Sequence, residues 1–288
     1  MPAHDAHSCR SHEPMKNAIT SCAAAALLVL AASLAGTASA DEIDTIKARG
    51  TLICGVGSNT VPFSYIEDPQ TRKNVGYDID LCEAVAKTLG VKPELKFVTT
   101  ATRIPEVQQG RVDLALASVT ITPERQELIS FSYPHLVTGT AIITPASRPM
   151  KALSDMENKR VSVIEGGLTG PAVSQKIPGA KPIGFVTPAT AFLALEQGKV
   201  QAMAADETTL LGLMRSTPGK YAMFNDYLVL EKLGIGVHKE RPKLLAAVNQ
   251  TMLDMEKSGQ AQVSYDRWFG ANSPLKRKRN FTFSADTQ

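Results

Sequence analysis

The sequence predicts an α/β protein built of two similar halves that face each other across a cleft. Short apolar, β-branched-rich runs alternate with amphipathic helical segments from Leu52 to Phe269. That is the pattern of crossover connections around a mostly parallel sheet. A helix–glycine–basic–valine–strand phrase occurs twice, as Gln108-Gln109-Gly110-Arg111-Val112 and as Glu196-Gln197-Gly198-Lys199-Val200. The order strand, turn, helix ahead of that phrase is also the same in both halves.

In chain order, Leu52–Val56 reads as a strand and Gly76–Leu89 as a helix with Ile79, Leu81, Cys82, Val85, Ala86 and Leu89 on its apolar face. Gly90 is the expected stop. Glu94–Val98 is a strand, Ile104–Gln109 a short helix ended by Gly110, Val112–Val119 a strand and Pro123–Ile129 a helix. The second half starts near Arg148-Pro149. Its strand Arg160–Ile164 opens into the glycine-rich turn Glu165–Pro171, followed by strand Pro182–Val186 and helix Thr190–Gln197. Strand Ala202–Ala205 ends at Asp206, and helix Thr208–Arg215 follows. Tyr221–Leu230 reads as irregular to extended and Ile235–Val237 as a strand. Lys243–Ser258 and Val263–Phe269 are closing amphipathic helices.

The stretch from Arg103 to Thr138 carries the most chemistry. Val112, Leu114, Leu116 and Val119 form the buried strand, and Thr122 is a good N-cap with Pro123 at the first helical position. Ser118 and Thr120 then sit at the mouth of the strand and Arg125 in the first helical turn. Free N–H groups, hydroxyls and a guanidinium converge where a carboxylate can sit. The alternative is an ordinary capped helix with Arg125 paired to a surface acid.

Residues 1–40 read as an export signal: Lys16, an apolar alanine-rich run from Ala23 to Ala35, and the site Ala38-Ser39-Ala40 with cleavage before Asp41. Met15 is the expected true start. The run is too short and alanine-rich for a membrane anchor. Cys22 precedes it, the wrong side for a lipid-modified cysteine, and His4, His7, Cys9 and His12 lie in the upstream extension. The formal net charge is +3. The run Lys276–Arg279 supplies much of it and reads as a solvated tail, with no nucleic-acid motif beside it. Of the cysteines beyond the signal, Cys54 falls in a strand and Cys82 on the next helix. Export permits a disulfide, but the spacing does not establish the Cα approach, and two buried thiols are the expectation.

Several phrases together resemble the polar-amino-acid-binding proteins of bacterial ABC importers, extracellular solute-binding family 3. They are Gly76-Tyr77-Asp78-Ile79-Asp80-Leu81; Thr122-Pro123-Glu124-Arg125 with Phe131-Ser132-Tyr133-Pro134; Leu195–Val200 with Asp206; and Arg267-Trp268-Phe269. They run in the right order over nearly all of the chain beyond the signal. The resemblance implies a two-lobe periplasmic-binding-protein fold (type II), with the ligand cleft between lobes. Lobe 1 is then 41–138 and 233–288, lobe 2 is 146–226, and crossover strands lie near 137–145 and 226–233. It further implies a non-catalytic receptor, without metal or cofactor, that acts as a monomer in the periplasm. Such a receptor delivers an amino acid to a membrane permease driven by partner ATPase subunits.

By the same resemblance Arg125 takes the ligand α-carboxylate, assisted by Thr120 and Ser118, and Asp206 takes the α-ammonium from the opposite lobe. A zwitterion needs such a facing cation and anion. The alternative for Asp206 is a helix N-cap. Thr102-Arg103-Ile104-Pro105 is similar to the glutamate/aspartate-binding branch, where that arginine holds the side-chain carboxylate; a helix-starting surface arginine is the alternative. Two of the branch's further contacts align with Gly57 and with Pro188 instead. Thr169, at the glycine turn, is the candidate hydroxyl of the second lobe. Phe63 and Tyr65 are candidate walls for the ligand stem, or else core. The implied ligand is acidic or polar, glutamate- or aspartate-like.

The competing class is an exported enzyme on the same fold, similar to cyclohexadienyl dehydratase, which needs a general acid. Glu165 and Glu207 are the candidates, with His135 and His238 weakly placed. Gly55-Val56-Gly57 runs into Pro62-Phe63 rather than a helix and is no dinucleotide fingerprint, and there is no Walker loop, HExxH, paired CxxC or GxSxG.

Overall fold

The computed structural model describes residues 42–224 and 226–286. The expected signal peptide, with Met15, Cys22 and the cleavage site, lies outside them. Among the described residues no helix is long and apolar enough to cross a membrane.

Strand β1 (Thr51–Gly57) is the hub of the first lobe. The separate two-stranded hairpin β2 (Tyr65–Ile66) and β3 (Asn74–Val75) follows it, and β4 (Lys92–Val98) and β5 (Leu114–Leu116) pair parallel on its two sides. The helix α1 (Glu42–Arg49) precedes it, and α2 (Tyr77–Leu89) buries the predicted apolar face and stops at Gly90 in the left-handed region. Two short helices, α3 (Arg103–Gln108) and α4 (Pro123–Leu128), flank β5.

Two long strands then run between the lobes. They are β6 (Ser130–Pro145) and β11 (Val229–Val237), antiparallel to each other with irregular register around Gly234. In the second lobe β7 (Arg160–Ile164) pairs parallel with β8 (Lys181–Phe185) and β9 (Ala202–Asp206), while β9 and β10 (Tyr221–Met223) pair antiparallel with β6. The order is β4-β1-β5-β11-β6-β9-β7-β8, so two parallel wings meet at an antiparallel seam. The expectation of a mostly parallel sheet holds within each lobe and fails at the crossing.

Packing explains the seam. Leu136 of β6 belongs to the large first-lobe core, with Leu52, Leu81, Tyr77 and Phe269. Farther along the same strand Ala141 and Ile143 face one second-lobe cluster and Ile142 the opposite one. Alternate residues therefore enter cores on both sheet faces, and the strand reads as a continuous apolar run. The second-lobe helices are α5 (Thr169–Lys176), α6 (Pro188–Glu196) and α7 (Glu207–Met214); α8 (Pro242–Lys257) and α9 (Gln260–Trp268) return to the first lobe.

Three expectations are corrected. The strand predicted over Val112–Val119 shrinks to Leu114–Leu116, because Ser118 takes a left-handed backbone with φ 54° and turns the chain. Cys54 and Cys82 form a disulfide, with Cα atoms 6.3 Å apart, because α2 lies directly over β1. The basic tail is not simply solvated: the Arg279 side chain is buried, pairs with Glu256 through two bonds and lies over the rings of Phe281 and Phe283.

Candidate functional site

A cleft between the lobes encloses about 780 Å³, its open mouth included. From the first lobe it is lined by the ends of β1 and β5, the start of α2 and the α3 side chain Arg103. From the second it is lined by the glycine turn before α5, by Pro188 and by Asp206, and the crossing strand β11 adds Glu231.

The first-lobe wall follows from the early end of β5. The turn at Ser118 aims the carbonyls of Ala117 and Ser118 at Arg103, whose Nη1 donates to them at 2.5 and 2.8 Å. Arg103 is only 4% exposed, so the surface-arginine alternative fails, and its Nε–H is buried without a hydrogen-bond partner. The chain then bridges to β11 through Thr120 and Leu233. Thr122 caps α4 by accepting from the Arg125 N–H, as its position before Pro123 predicts. Arg125 is buried, and its Nη1 donates to Thr120 O at 3.0 Å.

Asp78 occupies the first turn of α2 on the same wall. It is fully buried, and neither carboxylate oxygen has a hydrogen-bond partner.

The second-lobe wall is built differently. Thr169 lines the cleft at the start of α5 and its Oγ1 accepts from Ile164 N at 3.4 Å, which leaves the hydroxyl proton free to donate. Gly166 has φ 73°, and a Cβ there would stand 2.6 Å from the Ala101 Cα of the first lobe. Glycine is needed twice over, for the left-handed turn and for the touch between lobes. Asp206 stands at the N-cap position of α7, yet its side chain makes no capping hydrogen bond. The capping role weighed for it is therefore unfilled, and the carboxylate faces the cleft.

Glu231 was not singled out from the sequence. It is buried, Thr120 Oγ1 donates to its Oε2 at 2.6 Å, and Thr140 Oγ1 donates to its Oε1. Since Thr140 pairs in register with Asp206, the two carboxylates are electrostatic neighbours. Withdrawal from water, then the nearby Glu231, push Asp206 up to about 8, against the pull of Arg103 and Arg125. Burial and the like charge of Arg125 bring Arg103 down to about 10, opposed by Asp206, Glu231 and Asp78. Burial lowers Arg125, with Glu231 and Asp206 opposing. Burial raises Asp78 well above the usual carboxylate range, and the charge opposing that rise is Arg103.

Of the residues expected from the sequence, Arg103, Ser118, Thr169 and Asp206 line the cleft together. Arg125 and Thr120 are not in its lining; they adjoin it through the Thr120–Glu231 bond and through the field they share with Asp206. Phe63, expected as a wall, is instead packed on Phe269 in the first-lobe core at a centroid distance of 5.5 Å. Tyr65 is likewise against Trp268. Gly57 and Pro188, where the acidic-ligand branch has further contacts, do line the cleft and bring no charge to it. The candidate acids for an enzyme are elsewhere: Glu165 is exposed, and Glu207 pairs with Arg277 at 2.8 Å. His135 is buried beside Tyr77, where desolvation holds it near 3.

Residues 52–271 match the family described as bacterial extracellular solute-binding proteins, family 3. The chain is 27% identical over 249 residues to the L-cystine-binding protein TcyJ of Escherichia coli K12, covering 85% of this chain and 93% of that protein. It is 31% identical over 267 residues to the L-glutamate/L-aspartate-binding protein of Pseudomonas aeruginosa, covering 86% and 87%. Among solved structures, an ancestral arginine-binding protein bound to arginine superposes with a TM-score of 0.72 at 34% identity, covering 77% of this chain and 99% of that one.

Proposed function

Because this chain belongs to the bacterial extracellular solute-binding proteins, family 3, we propose that it is the exported amino-acid receptor of an ABC importer, that its ligand has an acidic or otherwise polar side chain, and that it delivers that ligand to the permease and ATPase subunits. The observation that carries the reading is that Arg103 and Asp206 line one cleft between lobes, with buried Arg125 adjoining it within the field of Asp206. The ligand α-carboxylate binds the guanidinium of Arg125, with Ser118 and the Thr169 hydroxyl filling remaining hydrogen bonds. The α-ammonium binds Asp206. Only a closed cleft makes both contacts, so the ligand favours closure.

Arg103 supports the polar side chain. With Nη1 held on two carbonyls, its Nε edge is left for an acceptor at the far end of the ligand, and guanidinium meets carboxylate well in that side-on geometry. The relative from Pseudomonas aeruginosa named for L-glutamate and L-aspartate lends the acidic choice further support. A thermal-shift screen of ligand-stripped protein against the common amino acids tests this. A ligand at about 100 times its Kd adds about 2.7 kcal/mol to stability. The expected result is a shift led by glutamate and aspartate. A shift confined to neutral amino acids would remove the acidic ligand and keep the receptor; no shift from any amino acid would sink the receptor reading.

A further inference from the structure

The cleft holds an acid to which the receptor reading gives no task. Glu231 is 4% exposed and lines the cleft from the crossing strand β11, while its neighbours Leu230 and Lys232 turn outward, Leu230 being 71% exposed. Burying a carboxylate is costly unless it finds partners there. Its direction follows from the register. Glu231 stands opposite Thr138 on β6, and Thr140, two residues on, stands opposite Asp206 on β9. Residues paired across strands, or two apart along one strand, share a face of the sheet. Glu231 and Asp206 are therefore on one face, to either side of β6, and both line the cleft.

Two arginines share that end. Arg103 and Arg125 both lie in the fields of Asp206 and Glu231, yet among the described residues neither arginine forms an ion pair with either acid. Two cations and two anions held apart leave a gap that a zwitterion fills, its carboxylate toward the arginines and its ammonium toward the acids. Thr120 and Thr140 each donate a hydroxyl proton to Glu231, one to each oxygen. Each oxygen keeps a further acceptor site, and an ammonium brings three donors, so it can serve Asp206 and Glu231 together. We propose that Glu231 is a ligand-contacting, specificity-determining residue: the second acid of the ammonium end, which makes the cleft select a charged α-amine over a neutral group in its place. This rests on the reading that Arg125 takes the ligand α-carboxylate and Asp206 the ammonium. A hydroxyl in place of the ammonium gains little from a second negative charge, and the carboxylates that remain on such a ligand are repelled by it.

The test is a calorimetric titration of the purified, ligand-stripped protein with L-glutamate and with L-2-hydroxyglutarate, which replaces the ammonium by a hydroxyl and keeps both carboxylates. Weak binding of the hydroxy acid is read from its competition with glutamate. Glu231→Gln keeps the size of the side chain and an acceptor for the threonines but removes the charge. It should weaken glutamate at least about tenfold, each tenfold being about 1.4 kcal/mol, and leave the hydroxy acid within about twofold or tighten it. Equal losses for both compounds would reduce Glu231 to an anchor between Thr120 and Thr140 and overturn the proposal while the Arg125–Asp206 reading stands. An unchanged affinity for glutamate would do the same. If the wild type binds the hydroxy acid as tightly as glutamate, or binds neither, the reading beneath the proposal falls and takes it along. Should Glu231→Gln fail to fold, Glu231→Asp, which draws the charge back by one methylene, decides by the same ratio of the two losses.

Discussion

The two walls of the cleft are made of different material. The first-lobe wall is charged and braced: Arg103 is held on two carbonyls, Arg125 beside the lining on a third, and both belong to a lobe whose core carries a disulfide and the tilted and edge-on ring contacts of Tyr77, Phe63, Tyr265 and Phe269. The second-lobe wall is made of apolar side chains such as Ile164, Leu168 and Val186 and of threonine hydroxyls beside the glycine turn, with Asp206 as its charge, over two smaller apolar clusters. The difference assigns the lobes separate tasks. A pre-formed set of charges can capture a ligand while the cleft is open. A wall whose glycine turn touches the first lobe can then approach closely and add the ammonium contact that makes closure favourable. Affinity should therefore be most sensitive to the first wall and closure to the second.

The largest effect expected is from Arg125→Ala. Truncating one partner of a buried, hydrogen-bonded charge pair costs roughly 2–5 kcal/mol, between about thirtyfold and several thousandfold in affinity. Calorimetry should find no measurable amino-acid binding while the circular dichroism spectrum is kept. Retained affinity would move the ligand carboxylate elsewhere and undo the capture role of the first wall.

Asp206→Asn comes next, with a loss of about ten- to a hundredfold and a change in pH response. The carboxyl of the free protein is raised from 3.8 to about 8. Between those values the folded state holds a proton that the unfolded chain has lost, so this group's contribution to stability falls as pH rises. A bound ammonium favours the ionised form. Binding should therefore release a proton, and affinity should rise with pH up to about 8. The variant should lose both slopes; titrations in buffers of different ionisation enthalpy detect the proton directly. An unaltered slope in the variant would place the titrating group elsewhere.

How much of this was legible beforehand divides along the same line. The two halves, the Thr122 cap and the cleft position of Ser118 follow from local periodicity and turn chemistry, which short sequence windows carry, whereas Arg103, Thr169 and Asp206 were pointed to by the family resemblance. Glu231 was invisible because it falls in the expected crossover strand between Leu230 and Lys232, with nothing local to mark its side chain as buried. It is buried only because β6, far away in sequence, supplies the Thr140 hydroxyl. Ser118 reads as strand, since nothing in Ala117-Ser118-Val119 announces a left-handed residue. Phe63 follows Pro62 in a segment whose packing partner, Phe269, is near the other end of the chain. The disulfide failed for the same reason: spacing in sequence says nothing of how α2 lies on β1.

Gly166→Ala sharpens the comparison from the second wall. The new methyl would meet Ala101 across the lobe contact, at a backbone angle that costs a non-glycine residue about 1 kcal/mol or more. Affinity should drop about tenfold, chiefly through faster dissociation in stopped-flow traces, because closure rather than capture is obstructed. A slower association with unchanged dissociation would reverse the assignment of tasks.

The smallest effect on binding belongs to the bond under the first wall. Cys54 and Cys82 are 28 residues apart, and closing a loop of that order stabilises by about 2–4 kcal/mol, mostly by restricting the unfolded chain. Replacing both by serine should lower the melting temperature by about 5–15 °C, yet change affinity by less than about twofold. The charged side chains are held by carbonyls of β5 and its turn, not by α2, so capture survives the loss of the disulfide as long as the lobe stays folded.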